Sequence, residues 1–143
     1  MRTYYLFFIK SPFVSLYKEK SSLLFKNFNG IYKVNYSNFN MGQKLYIDML
    51  CSFNKKDINE YIYNKHKYEV AYWYDGNIHI INNIHTGEIT KLTVSNTYLK
   101  IVSTKDYTCF LNTLYDCLGD LFVCDFDNFD YFWLDKNFIE MLV

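Results

Sequence analysis

The sequence predicts an α+β fold in which a mixed sheet, containing an antiparallel meander, packs against several helices. Three features indicate this class: a buried strand near the end of the chain, an amphipathic helix before it, and short strands in the middle. The chain has 143 residues, of which 50% are hydrophobic, so it can bury a core without disulfides. We therefore expect a single domain over residues 1–143.

The most clearly buried segment is residues 121–126, with the sequence LFVCDF. A short apolar run with β-branched and aromatic members, flanked by turn-forming residues, is typical of a buried central strand. A second run, Tyr131–Leu134, follows closely enough to return beside it as a hairpin. We expect the core to form around this pair.

The helix before this strand is the most regular in the sequence and runs from about Asp106 to Leu118. Its apolar residues follow the spacing of a helix that packs on a core: Tyr107, Phe110, Leu111, Leu114 and Leu118. We expect Thr104 to cap its start and Gly119 to end it with a left-handed backbone conformation.

The middle of the chain has the pattern of a meander. Four strands are predicted, over residues 68–74, 77–82, 89–94 and 98–102. Asp75-Gly76, between the first two, is a strong signal for a two-residue hairpin turn. His79 alternates with Ile78 and Ile80, which favours a half-exposed strand histidine. His66 lies between two lysines, so we expect it at the surface.

The first strand is predicted over Tyr4–Ile9, where every residue is apolar, as in a strand covered on both faces. Ser11 can cap a short helix that has Pro12 in its first turn. Ser21 can cap a second helix, and Gly30 would end it. Beyond it we predict an irregular segment from 31 to 42, a helix between 45 and 50, and another capped by Asp57.

The short helix after the first strand carries Phe13 and Tyr17, which face the same way because they lie four residues apart. Two interpretations stay open. The two rings can pack on the sheet as core residues, or they can be exposed anchors for a partner, since aromatic residues dominate the energetics of interfaces. Helical spacing alone does not separate these interpretations.

The charge balance argues against a nucleic-acid-binding protein. Fifteen basic and fifteen acidic side chains give a net charge of zero, whereas nucleic-acid binding draws on a basic surplus. A DNA-contacting module that uses Lys18, Lys20 and Lys26 remains an alternative, although Glu19 interrupts this patch. No segment has the length of a membrane span. The four cysteines lack a C-x-x-C pair and no secretory signal precedes them, so we expect a reduced, cytoplasmic protein.

Catalytic motifs are missing from the sequence. Asp125, Asp127 and Asp130 cluster after the buried strand, and clustered carboxylates can hold a hard cation. The stretch lacks the glycine and the terminal glutamate of a calcium loop, and aspartates are also frequent in turns. A small metal-dependent enzyme that uses these three residues remains an alternative. We favour a binding module with no metal and no cofactor.

The two ends of the chain resemble a known family. Tyr4-Tyr5, Ile9-Lys10, Phe13 and Tyr17 at one end, and the two runs at 121–126 and 131–134 at the other, are similar to the sporulation inhibitor of replication protein SirA. The resemblance implies a small, non-enzymatic, cytoplasmic protein of endospore-forming bacteria. It implies binding to the N-terminal domain of the replication initiator DnaA, which restrains replication as sporulation begins.

The resemblance also implies where the partner binds. The family's contact surface includes the helix after the first strand, and its aromatic positions correspond to Phe13 and Tyr17 in this sequence. Helix geometry adds Leu16 to this set. No cofactor, direct nucleic-acid contact or membrane contact is implied.

Overall fold

The computed structural model describes residues 1–33 and 48–142. Within these ranges the elements are β1 (Arg2–Phe7), α1 (Ser11–Tyr17), α2 (Ser21–Lys33), α3 (Lys55–His66), β2 (Tyr72–Asp75), β3 (Ile78–Asn83), β4 (Glu88–Val94), β5 (Leu99–Ser103), α4 (Phe110–Leu118), β6 (Leu121–Asp125), β7 (Asp130–Leu134) and α5 (Lys136–Met141). Residues 34–42 of the segment predicted as irregular, and residues 45–47 of the helix predicted between 45 and 50, lie outside the described residues. At the described end of that predicted helix, Leu50 instead forms an antiparallel bridge with Ile9. No described helix combines the length and the apolar character needed to cross a membrane.

The seven strands form one open sheet in the order β2-β3-β4-β5-β1-β6-β7. The predicted α+β class, the meander and the C-terminal hairpin are confirmed. All pairings among the described strands are antiparallel, so these strands form no parallel pair of the kind that a mixed sheet contains. Every residue of β6 is buried, as expected, although β6 is the second strand from one edge of the sheet rather than a central strand.

One face of the sheet is covered by α3 and α4. Alternate residues of β1 and β6, such as Leu6 and Val123, point to this face because side chains alternate along a strand. They meet Ile62 of α3 and Leu114 of α4 in a single core. Asn54 caps α3 by accepting a hydrogen bond from the Asp57 backbone N–H at 3.2 Å. The cap predicted at Asp57 is therefore three residues late.

The other face of the sheet is covered by α2 over β1, β6 and β7. The intervening residues of the strands meet α2 in what we call the aromatic cluster: Ile9, Leu24, Phe25, Phe28, Met49, Phe122, Cys124 and Phe126. The Phe7 and Phe28 rings stack with centroids 4.5 Å apart, which is a favourable aromatic geometry. The prediction that Gly30 ends this helix was wrong: Gly30 does not adopt a positive φ, and α2 continues to Lys33.

The helix α4 is confirmed but begins at Phe110, four residues later than predicted. Thr104 does not cap it. The Thr104 hydroxyl instead accepts a hydrogen bond from the Ile89 N–H at 3.0 Å and donates one to the Gly87 carbonyl at 3.2 Å. Gly119 ends α4 with a φ of 78°, a conformation that glycine adopts at little cost, so the predicted helix end is correct.

Two histidines are buried, contrary to the predictions for them. His66 is 3% exposed, with Nδ1 2.8 Å from the Glu69 carboxylate and Nε2 2.7 Å from the Thr113 hydroxyl. His79 is fully buried between Asn59 and the hydroxyl of Tyr72. Burial, followed by the charge of His66, lowers the pKa of His79 to about 4. The surface and half-exposed assignments were wrong because these partners come from other elements.

Candidate partner-binding surface

α1 is a short surface helix with a defined start. Lys10 is its N-cap, and the Lys10 carbonyl accepts a hydrogen bond from the Phe13 N–H at 2.9 Å. Pro12 lies in the first turn, where a missing N–H costs no hydrogen bond. Ser11 is the first residue of the helix rather than its cap, and no side chain caps this end.

The chain leading into α1 is held by the segment around residue 50. The Lys10 N–H donates to the Met49 carbonyl at 2.8 Å, and the Cys51 N–H donates to the Phe8 carbonyl at 2.7 Å. Ile9 and Leu50 form the bridge between these two hydrogen bonds. The start of α1 is therefore fixed relative to the sheet by backbone contacts, which do not depend on the side chains of the helix.

The predicted site residues lie together on α1, and none of them is buried. Leu16 is 52% exposed. Phe13 and Tyr17 are half-buried, because each packs against the aromatic cluster while part of its surface stays accessible. The rings therefore rest on the core and also contribute to the surface, so their burial does not decide between the two interpretations left open by the sequence.

The end of α1 is held by an ion-pair arrangement around Lys18. Its Nζ lies 2.9 Å from Asp120 Oδ2 and 3.4 Å from Asp135 Oδ2. The same ammonium lies 5.7 Å from the ring centroid of Trp133. Burial alone would lower the pKa of Lys18, but the hydrogen bonds and charges of the two aspartates outweigh it and raise that pKa.

A second contact reinforces this end of the helix. The Trp133 indole N–H donates to the Ser21 hydroxyl at 3.0 Å, and that hydroxyl donates to the Lys18 carbonyl at 3.0 Å. Sequence reasoning missed the Lys18 contacts and grouped this residue with a basic patch. Asp120 and Asp135 lie 102 and 117 positions away along the chain, so no local pattern signals the contact.

The aspartates of the alternative metal site are engaged by other groups. Asp125 is fully buried, and its carboxylate accepts hydrogen bonds from Arg2 Nε at 2.9 Å and from Asn128 Nδ2 at 2.8 Å. Arg2 also pairs with Asp130, while Asp127 is exposed. Burial alone would raise the pKa of Asp125, but the hydrogen bonds from Asn128 and Arg2 outweigh it and lower that pKa. Among the described residues, no group of three His, Cys, Asp or Glu side chains could hold a metal ion.

The fold and this surface define a small α+β protein that presents a helix with half-exposed aromatic side chains. A family model described as the sporulation inhibitor of replication protein SirA matches residues 2–137. The match covers nearly the whole chain, so the protein belongs to the SirA family, and the resemblance seen at the two ends is confirmed. No curated protein matches the sequence. The family is one of regulatory inhibitors of replication in sporulation and is not a known enzyme family.

Proposed function

We propose that this protein is a cytoplasmic, single-domain regulator that binds the N-terminal domain of the replication initiator DnaA through α1. Phe13, Leu16 and Tyr17 are the contact residues. Binding restrains new rounds of replication as sporulation begins. The membership in a family of replication inhibitors supports a partner in the replication machinery.

One observation carries the choice of surface: α1 bears three large apolar side chains and buries none of them completely. Leaving apolar area in water forgoes about 25 cal/mol for each Å² that a contact would bury. Exposed apolar residues grouped on one element mark contact sites more reliably than scattered ones do. Leu16, at 52% exposure, has the most to gain from a partner among the three.

The rigidity of α1 supports the same assignment. Backbone hydrogen bonds with Met49 and Cys51 hold its start, and the ion pairs of Lys18 hold its end. A surface that is already ordered loses little conformational entropy on binding, so more of the contact energy appears as affinity. The aromatic rings also rest on the aromatic cluster, which limits their rotamers before a partner arrives.

The charge of the chain favours a protein partner over DNA. The net charge is zero, and Lys18 already pairs with two aspartates. Protein–DNA affinity depends on lysines and arginines that displace counterions from phosphates, and Lys18 is not free to do this.

The test is a calorimetric titration of the DnaA N-terminal domain with the parent and with Phe13→Ala, Leu16→Ala and Tyr17→Ala. Truncating a central anchor removes about 2 kcal/mol or more of binding free energy, which is a loss of about 30-fold in affinity. We expect at least two of the three variants to lose that much. Ile89→Ala is the matched control, because Ile89 is 47% exposed and lies on β4, away from α1.

The proposal makes a distinct prediction about salt and folding. Binding should depend only weakly on salt, whereas a DNA-contacting surface would lose affinity steeply. If the three variants keep the parent's circular dichroism and also its affinity for the DnaA domain, α1 is not the interface. If they unfold, Phe13 and Tyr17 act mainly as core residues.

A further inference from the structure

An open groove of about 720 Å³ lies where β3 and β4 meet the end of α3 and the start of α4. The groove lies near one edge of the sheet, whereas α1 packs against the aromatic cluster near the opposite edge. The residues that follow α3 and the β3–β4 turn form its walls. The function proposed for α1 does not involve any residue of this groove.

Glu88 lines this groove although it is only 7% exposed. Its Oε1 accepts hydrogen bonds from the hydroxyls of Thr90 at 3.1 Å and Thr108 at 3.0 Å. Within the described ranges, Oε2 has no donor and no cation pairs with Glu88, yet Oε2 is not sealed from solvent. A nearly buried carboxylate without a cation is costly, so Glu88 offers one oxygen to a cation from outside.

A second acidic residue acts on the same space. Glu69 lines the groove and keeps a side chain that is 53% exposed. Burial, and then the charges of Glu88 and Glu69, raises the pKa of the Cys109 thiol on the groove wall to about 11. The Glu69 carboxylate is already engaged by His66 Nδ1 at 2.8 Å, so Glu88 is the carboxylate that a cation in the groove would meet. The described lining of the groove includes two glutamates, one histidine (His85) and no lysine or arginine, so the groove favours a positive charge.

The rim of the groove is aliphatic. Val70 and Ile84 line it, with 104% and 83% of their surface exposed. Apolar side chains this exposed, beside an unpaired carboxylate, match a ligand with an aliphatic stem and a cationic end. The lysine side chain has this construction and commonly buries its stem while its charge stays at a polar contact.

The oxygens of Glu88 favour a lysine side chain over an arginine side chain. A guanidinium pairs best when it donates two parallel hydrogen bonds to both oxygens of a carboxylate. Oε1 of Glu88 is already occupied by two hydroxyls, which leaves only Oε2. A single free oxygen suits the ammonium of lysine, which acts as a point charge.

We propose that this groove binds a lysine side chain presented by a second protein, with the stem against Val70 and Ile84 and the ammonium on Glu88. A segment of protein is the occupant because the groove is open. A free amine would remain largely solvated there, whereas a peptide also places its backbone and neighbouring residues against the exposed rim. The protein would then have two contact surfaces at opposite edges of its sheet.

The test is a nuclear magnetic resonance titration of the ¹⁵N-labelled full chain with the capped tripeptide acetyl-Ala-Lys-Ala-amide. The amides of residues 69–71 and 83–88 should shift, and those of α1 should not. The matching norleucine peptide should cause no shift, and the arginine peptide should bind at least about threefold more weakly. Pentan-1-amine, the free-amine probe, should bind more weakly than the lysine peptide.

Substitutions decide which atoms carry the binding. Glu88→Gln removes the charge but keeps an oxygen for the two threonine hydroxyls, and it should weaken lysine-peptide binding about tenfold or more. Glu140→Gln is the matched control, because Glu140 is exposed on α5, and it should leave the affinity unchanged. Val70→Ser should weaken binding about threefold, and it removes no core contact because Val70 is fully exposed.

Three results would overturn the proposal. Equal shifts with the lysine and norleucine peptides would show that charge is not recognised. Parent-like affinity in folded Glu88→Gln, or in Val70→Ser if Glu88→Gln does not fold, would remove the assigned contacts. Pentan-1-amine that binds as tightly as the lysine peptide would make the groove a site for free amines rather than a protein contact.

Discussion

The helices α1 and α4 have similar apolar spacing and opposite environments. α4 buries Phe110, Leu111, Thr113 and Leu114, whereas α1 buries none of its residues. α4 links β5 to β6, the two neighbours of β1, so it must cross the sheet over β1. α1 follows the end of β1 and lies at the margin of the aromatic cluster. Position relative to the sheet, rather than helical spacing, therefore decides whether an apolar residue of these helices becomes core or surface.

The largest expected loss of stability comes from a truncation on the buried helix, α4. Leu114→Ala should lower the free energy of unfolding by about 2–5 kcal/mol, because it leaves a cavity in a fully buried site. Urea unfolding followed by circular dichroism measures this directly. A midpoint unchanged within error would show that α4 is not packed as described.

Acid should also lower the free energy of unfolding, through the buried side chain of His79. The pKa of His79 is about 4 in the folded protein, compared with about 6.5 for an unfolded histidine. Between these values the unfolded chain binds a proton that the folded chain excludes, so stability falls as the pH falls. This group should cost about 2 kcal/mol between pH 7 and pH 5.

Urea unfolding of the parent and of His79→Gln at both pH values isolates this contribution, because the other titrating groups are common to both proteins. The variant should be less stable at pH 7 and lose less stability on acidification. An equal loss in the two proteins would assign the acid sensitivity to other groups.

Truncations on α1 should cost less stability than truncations on α4. Phe13→Ala and Tyr17→Ala each remove a half-buried ring from the aromatic cluster, so we expect a loss of about 1 kcal/mol in the free energy of unfolding. Leu16→Ala, at a position 52% exposed, should change it by less than about 0.5 kcal/mol. A loss as large as that of Leu114→Ala would show that α1 is a core helix like α4.

The contacts of Lys18 should also contribute little to stability. Its ion pairs are partly exposed, with 38% of the side-chain surface accessible on Lys18 and on Asp120, and solvent screens such pairs. Lys18→Ala should therefore lower the free energy of unfolding by about 0.5 kcal/mol. Its effect on DnaA binding should exceed that of Lys20→Ala, because only Lys18 fixes the end of α1. Equal effects of the two substitutions would show that Lys18 does not position the helix.

No effect at all is expected from chelation. Arg2 and Asn128 occupy the carboxylate of Asp125, and Arg2 also pairs with Asp130. Dialysis against a chelator should leave the melting temperature of the protein unchanged. A clear loss that zinc, calcium or magnesium restores would revive the metal-dependent alternative.

Local signals predicted much of the fold. The Asp75-Gly76 turn and Gly119 mark strand and helix ends, and Gly76 and Gly119 adopt positive φ as these positions require. The strand order and the burial of His66 and His79 were not predictable in the same way. They depend on residues such as Thr113 and Asn59 that belong to other elements.

The candidate site was predictable to the level of the helix. The spacing of Phe13 and Tyr17 identified the element, but their half-burial arises from packing against the aromatic cluster. The role of Lys18 depends on Asp120 and Asp135, which flank the C-terminal hairpin and are far from Lys18 along the sequence. Spacing along the sequence contains neither piece of information.

The most direct test of α1 as the partner surface is chemical-shift mapping of the ¹⁵N-labelled protein with unlabelled DnaA N-terminal domain. We predict the largest shifts at residues 11–18, with smaller shifts near Asp120 and Asp135, which contact Lys18. The amides of β3 and β4 should stay unchanged. Saturable shifts confined to β3 and β4, with residues 11–18 unaffected, would contradict this account.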